Sequence, residues 1–390
     1  MDDHGGTKRQ LCWLRALGLL ALMSACAPHM EAAGPAVMAP TLKADHIIAA
    51  DGARLPLRLW PAVGAARAVV LAVHGFNDYS NAFAEPATYW ADRGITTYAY
   101  DQRGFGETAN HGLWPGVETM VADLATAATL IKTRHPDLPL YLVGESMGGA
   151  VTMALMAGPE PPAIDGMVLV APAVWGWQTM NPFYKAGLWL GAHTVPWFKP
   201  SGRGLGIKPS NNRDMLVALS QDPHVIKHTR IDSLYGLVNL MDAAFDAAAG
   251  LGTPALVQYG AHDELVPKKP THDMLQRLTA PHRLAFYDTG YHMLLRDLDP
   301  EPVLADIAAW ITDMPTATLV PYSAESMTST VKKFYGSFGV EMELEKFKIS
   351  EAPKTTAKTD KMAEVAVGEV ATFWSSLGLT LPVEEHSAKS

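Results

Sequence analysis

Cysteine is nearly missing from this chain of 390 residues. Only Cys12 and Cys26 occur, both at the N-terminal end. The rest of the chain can therefore form no disulfide, no thiolate metal site and no cysteine nucleophile. Charge is sparse as well: Asp, Glu, Lys and Arg make up 18% of residues, and the formal net charge is -9. No long basic run occurs, which argues against nucleic acid as a partner, because phosphate binding needs a basic patch. Internal repeats are absent too. Apolar residues are plentiful at 48%, enough for one large core or two smaller ones.

Cys26 belongs to an N-terminal pattern. Lys8, Arg9 and Arg15 accompany a short apolar stretch, Ala16 to Met23, which ends in Ser24-Ala25-Cys26. Positive charge, a short apolar core and small residues make an export signal, too short for a spanning helix. The ending "LMSAC" resembles a bacterial lipobox, in which Cys26 is lipidated and becomes the mature N-terminus, although Met23 stands where leucine is usual. The expectation is a signal peptide over 1–26 and an Ala-, Pro- and Met-rich linker over 27–44. The mature chain would be an exported lipoprotein held at a membrane, on the periplasmic or cell-surface side.

From residue 45 apolar strands alternate with helices. Asp45 to Trp60 has the pattern of a hairpin turning at Asp51-Gly52. The runs at Ala68–Val73, Ile95–Tyr100, Leu138–Val143, Gly166–Val170, Ala255–Tyr259 and Leu284–Tyr287 are mostly unbroken apolar stretches. Ala84 to Arg93, Val117 to Arg134 and Pro302 to Thr312 have helical spacing. Continuous apolar strands between helices predict an α/β fold with a mostly parallel sheet covered on both faces. Chemistry in such folds sits at the carboxyl ends of the strands.

Residues 174–250 interrupt the alternation and hold Trp175, Trp177, Phe183, Trp189 and Trp197. A helical cap is expected there. Aromatics in such a segment build its own core or line an apolar pocket; the expectation is that Trp175, Trp177, Phe183 and Trp189 include residues facing substrate. The main domain spans 45–314, and 315–390 is a C-terminal extension of unassigned role.

The segment "GESMGG" places Ser146 between a strand and a helix, with Gly144 and Gly148 fitting G-x-S-x-G. A serine hydroxyl needs a base to take its proton, and the base needs an acid to orient it. In this strand-turn-helix context the chain order is serine, acid, histidine. "YGAHDELVP" supplies Asp263 and "DTGYHMLLRD" supplies His292, each in a loop after an apolar strand. His262 and Asp288 are neighbouring alternatives: His262 would point elsewhere, and Asp288 fixes its loop. An oxyanion needs two donors. The N–H of Met147 follows the nucleophile, and "VHGFND" offers the N–H of Phe76, with His74 supporting that loop.

Taken together, "HGFND", "DQRGFGET", "GESMGG", "GAHDELVP" and "GYHMLL" resemble the α/β-hydrolase serine esterases, in particular the monoacylglycerol lipase and lysophospholipase branch. The resemblance covers about residues 45–314. It implies Ser146 as nucleophile, Asp263 as acid, His292 as base, and backbone donors at Phe76 and Met147. It leaves Asp101 and Arg103 as structural. The implied substrate is a small lipid or ester, with no metal and no organic cofactor. Three alternatives stay open. A proline-type aminopeptidase would need an acid for the free amino terminus, and Asp214, Asp222 and Asp232 lie in the cap. An acyltransferase would need water shut out during deacylation. A non-catalytic binding lipoprotein would have no use for the serine, acid and histidine set. Epoxide hydrolase or dehalogenase chemistry is disfavoured, because it needs a carboxylate where Ser146 stands. Oligomeric state is not readable from the sequence.

Overall fold

Every side chain of Ala68–Val73 is buried, as its unbroken apolar sequence demands, and this strand (β4) lies near the middle of a sheet. The structure, a computed structural model, describes residues 27–200 and 206–313. The signal region, the lipidation candidate Cys26 and the extension over 315–390 lie outside the described residues. Ahead of β4 come β1 (Thr41–Leu42), β2 (His46–Ile48) and β3 (Arg54–Trp60). After it come β5 (Ile95–Tyr100), β6 (Leu140–Glu145), β7 (Gly166–Val170), β8 (Ala255–Gly260) and β9 (His282–Tyr287). They form one sheet in the order β1-β2-β3-β5-β4-β6-β7-β8-β9. Strands β1 to β3 and the β3–β5 pair are antiparallel; the remaining pairs are parallel.

Parallel neighbours need crossovers, and helices provide them. These are α1 (Ala84–Ala91), α2 (Val117–Arg134), α3 (Met147–Met156) and α7 (Lys268–Arg277), while α8 (Glu301–Asp313) follows the last strand. Helices α4 (Pro182–Thr194), α5 (Arg213–Gln221) and α6 (Ile231–Ala247) fall between β7 and β8. One core joins α2, α3 and α6 to one face of the sheet, with Leu71, Leu124, Leu142 and Val151 fully buried. The other face packs against α1 and α8 through Trp90, Leu304 and Ile307. Buried Trp90 also donates its indole N–H to the Leu304 carbonyl at 3.2 Å, which ties α1 to α8. Burying one such large side chain contributes about 1.5–3 kcal/mol. The two-sided burial explains why β4 to β8 lack polar alternation.

The expected linker over 27–44 is corrected by the structure. Residues 30–38 lie along the domain: Met30 bridges to Trp114, and the Glu31 N–H donates to the Trp114 carbonyl at 2.8 Å. The Ala33 N–H donates to Thr119 Oγ1, and the Gly34 N–H to Asp51 Oδ2. The N–H groups of Val37 and Met38 donate to the Ala50 carbonyl. Alanine and proline richness suggested a solvated tether, but backbone hydrogen bonds need no particular side chains and leave no compositional mark. Helix α7 was also not expected, because few apolar residues mark its inner face.

Candidate active site

Ser146 sits at φ 52° and ψ -112°, where β6 turns into α3. A serine in that left-handed region costs on the order of 1–3 kcal/mol and persists only where its surroundings enforce it. They do so here. The Ser146 N–H donates to the Val170 carbonyl at 2.8 Å, and the Ser146 carbonyl accepts from Ala173 and Ala150. A Cβ on Gly148 would lie 1.9 Å from the Val73 carbonyl oxygen, and one on Gly144 would lie 2.5 Å from Gly148 backbone. Both glycines are required because backbone passes where a side chain would stand.

The elbow lifts Ser146 Oγ to 2.9 Å from His292 Nε2, and His292 Nδ1 lies 2.8 Å from Asp263 Oδ2. An ionised carboxylate only accepts, so Nδ1 carries the proton and Nε2 accepts from the serine hydroxyl. The other oxygen of Asp263 accepts from the N–H groups of Leu265 and Val266 at 2.8 and 2.9 Å, which fixes the acid. Burial of the imidazole opposes its cation. The Asp263 carboxylate, with Glu145 and Asp297 behind it, outweighs that and holds the His292 pKa above the ordinary value. The neighbouring alternatives lie apart from this chain: His262 stacks on Tyr291, and Asp288 is exposed at the end of β9.

Phe76 and Met147 flank the serine. Met147 opens α3, so its N–H has no carbonyl one helical turn earlier to bond. Phe76 lies in the loop after β4, where a Cβ on Gly75 would be 3.5 Å from the Ser146 Cβ. His74 supports this loop. Its Nε2 accepts from the Gln102 N–H at 3.0 Å, so its Nδ1–H donates to the Gly75 carbonyl at 2.9 Å. Complete burial lowers the His74 pKa and keeps the ring neutral. On the other side, the Asn77 carbonyl accepts from Ile226, Asn77 Nδ2 donates to Thr229 Oγ1, and the Tyr79 hydroxyl donates to Asp222. Asp101 accepts from the Ser80 N–H and from Glu107, while Arg103 is held between Asp51 and Asp123. Both are structural.

A cavity of about 380 Å³ opens above Ser146 and His292. Its walls include Leu216 and Leu219 of α5, Leu234, Leu237 and Met241 of α6, and Val225. None of the four aromatics expected to face substrate lines it. Trp175 is buried in the main core. Trp177 donates to Asn239 Oδ1 at 2.6 Å and packs on Tyr235. Phe183 is 82% exposed, and Trp189, 47% exposed, stacks on His193. Aliphatic residues at helical spacing took the lining role, a signal weaker than a run of tryptophans. The cavity floor is polar: Asn77, Asp78, Glu145 and Arg296 line it. Among the described residues, Asn77 Oδ1, Glu145 Oε1 and Arg296 Nε have no hydrogen-bond partner. The sequence reading missed this cluster, although each member lies in or beside one of the motifs it singled out. A larger depression of about 540 Å³ near Glu31, Arg54 and Arg103 lies elsewhere and holds no nucleophile. No group of three or more His, Cys, Asp or Glu among the described residues is placed to hold a metal.

A sequence model of the family Hydrolase_4, described as "Serine aminopeptidase, S33", matches residues 64–299. The chain belongs to the Hydrolase_4 family. Within known proteins, this Hydrolase_4 chain is similar to the monoacylglycerol lipase of Mycolicibacterium smegmatis, at 26% identity over 70% of this chain and 99% of that protein. The rat monoglyceride lipase is likewise 26% identical, over 68% of this chain and 89% of its own length. Among solved structures, a soluble variant of monoglyceride lipase from Saccharomyces cerevisiae superposes with a TM-score of 0.59 at 19% identity, covering 74% of this chain and 98% of that one. The fold is that of the α/β-hydrolases, and the chain is monoacylglycerol lipase-like.

Proposed function

We propose that this protein hydrolyses carboxylic monoesters of lipids, monoacylglycerols or lysophospholipids, through an acyl-enzyme on Ser146. The carrying observation is the hydrogen-bonded chain Ser146–His292–Asp263 at the mouth of a cavity with aliphatic walls and a polar floor. His292 Nε2 takes the hydroxyl proton as Ser146 Oγ bonds to the acyl carbon, and the carbonyl electrons move onto oxygen. The N–H groups of Phe76 and Met147 receive that oxyanion. The C–O bond to the alcohol then breaks, and His292 returns the proton to the leaving oxygen. Water, deprotonated by His292, attacks the acyl carbon; the bond to Ser146 Oγ breaks, His292 returns the proton to Oγ, and the acid leaves. Leu216, Leu219, Leu237 and Met241 suit an acyl chain. The unpartnered Asn77 Oδ1 and Glu145 Oε1 suit the hydroxyls of the alcohol, since buried polar atoms seek partners.

The family description favours aminopeptidase as a second reading. The three cap acids weighed for that role do not line the cavity: Asp222 accepts from Tyr79, Asp232 pairs with Arg230, and Asp214 lies in the first turn of α5. The test is turnover of a monoacylglycerol series and of aminoacyl arylamides by wild type and Ser146→Ala. Turnover of the esters, lost at least ~10⁴-fold in the variant, is expected. Arylamide turnover without ester turnover would select the peptidase reading. An inert wild type that also resists fluorophosphonate labelling would select the binding module.

The lipoprotein reading is also a proposal. Signal cleavage before Cys26 and acylation of Cys26 would place the mature N-terminus one residue ahead of the described chain. Metabolic labelling with a palmitate analogue should mark wild type and leave Cys26→Ser unmarked.

A further inference from the structure

Three loops bring the reacting groups together, and one guanidinium touches two of them from the third. Arg296 lies four residues after His292, Asp78 two after Phe76, and Glu145 directly before Ser146. Arg296 Nη2 donates to Asp78 Oδ2 at 2.5 Å and reaches Glu145 Oε2 at 3.4 Å. All three residues are buried, at 7%, 6% and 3% exposure. We propose that Arg296 is a positioning residue, which locks the oxyanion loop and the nucleophile strand to the histidine loop. The proposal rests on the serine hydrolase reading above.

The local geometry fits that role. The single turn Leu294–Arg296 brings the arginine back under the site, and its N–H donates to the Met293 carbonyl. Asp78 uses its two oxygens differently: Oδ1 accepts from the Tyr79 N–H at 2.9 Å, and Oδ2 accepts from Arg296. The Asp78 N–H in turn meets the Gly75 carbonyl at 3.3 Å, closing the turn that contains Phe76. The carboxylate is thus part of the frame that aims the Phe76 N–H. Asn77, in the same turn, has a φ of 65°, so this loop is held in an unfavoured shape.

Stability alone is a poor reason for such a cluster. Ions taken out of water lose hydration that their mutual attraction rarely returns in full, and apolar side chains would fill the same space at lower cost. The cluster is also unbalanced, with one guanidinium between two carboxylates. Burial, with Asp78 nearby, pushes the Glu145 pKa up against the pull of Arg296. Both contacts run through Nη2, at the far end of a planar guanidinium that a lysine ammonium, one bond shorter on its stem, does not reach.

The experiment compares wild type with Arg296→Gln, Arg296→Lys and Asp78→Asn. Each is assayed on an aryl butyrate, which has no polyol, and on a monoacylglycerol. Amide hydrogen exchange over residues 75–79 is followed in parallel. Asp78→Asn leaves Arg296 its Glu145 partner, so it serves if Arg296→Gln does not fold. The expected result is a kcat loss of about 10²-fold for both arginine variants on both esters, the scale of one misplaced oxyanion donor. A smaller loss is expected for Asp78→Asn, with KM little changed throughout and faster exchange over 75–79. Unchanged kcat in Arg296→Lys overturns the proposal. So does a loss confined to KM for the monoacylglycerol, which would make Arg296 a ligand of the alcohol. If wild type turns over neither ester, the hydrolase reading fails and exchange alone decides: unchanged protection over 75–79 in Arg296→Lys then overturns the lock.

Discussion

Ser146 shows how a residue's chemistry depends on backbone it does not own. Its φ of 52° is tolerated because β7 and the start of α3 hold both its N–H and its carbonyl. Gly148 shares that constraint, with the Val73 carbonyl where its Cβ would be. Gly148→Ala should lower the unfolding free energy by about 3 kcal/mol or more in a urea titration, because backbone on both sides must move. His292 carries the pH dependence. It must be neutral to accept the serine proton, and its pKa is raised. The acid limb of kcat/KM should therefore fall above the ordinary histidine value of about 6.5. Asp263→Asn removes the chief raising charge, so the limb should move to lower pH while kcat drops about 10⁴-fold. The raised value has a stability counterpart of definite sign. Its contribution is full below the unfolded-state pKa and is lost as pH rises through the folded-state one. That Ser146, Asp263 and His292 would be brought together was legible in the sequence, because glycine spacing and chain order are local marks. The Arg296 cluster was not, because nothing in the chain says that Asp78, Glu145 and Arg296 converge.

Helices α5 and α6 supply the aliphatic wall of the cavity. No residue of α5 is buried, yet Leu216 and Leu219, three apart on one face, line the cavity. That face meets the cavity in place of a packed core. Leu219→Trp should fill part of the 380 Å³ and shift the acyl-length profile toward short chains, read as kcat/KM across a monoacylglycerol series. Helix α4 behaves differently. Phe183, Trp189 and Leu190 are exposed on it, with Trp197 and Phe198 just beyond. A cluster of this kind marks an interaction surface more often than a packing error. Phe183→Ser with Trp189→Ser should leave turnover of a soluble aryl ester intact and lower turnover of monoacylglycerol presented in vesicles. An equal effect on both would assign these aromatics to the fold of the cap. The tryptophan-rich composition identified an insertion, but helical phase and neighbours assigned each ring: Trp175 inward, Trp177 to Asn239, Phe183 and Trp189 outward.

The described residues form a sheet with a helical layer on each face and an insertion over the strand ends. No helix among the described residues is long and apolar enough to cross a membrane. The docked segment at 30–38 is the feature with the widest reach. Deleting residues 27–40 removes its backbone hydrogen bonds, among them the one to Trp114, whose ring packs against Phe76. At about 1 kcal/mol net per hydrogen bond, and with exposed ones contributing less, a loss of roughly 2 kcal/mol is expected in a denaturant titration. Unchanged stability would return the segment to the role of a tether.

The sequence by itself determined the α/β fold class and pointed to Ser146, Asp263 and His292 as one group, because these depend on periodicity, glycine spacing and order along the chain. Tertiary structure alone decided which cap residues form the cavity wall, that the N-terminal segment lies on the domain, and that one buried arginine faces two carboxylates beneath the reacting serine. Each of those contacts joins residues far apart in the chain, where side-chain identity states a capacity for contact and only the folded geometry chooses the partner.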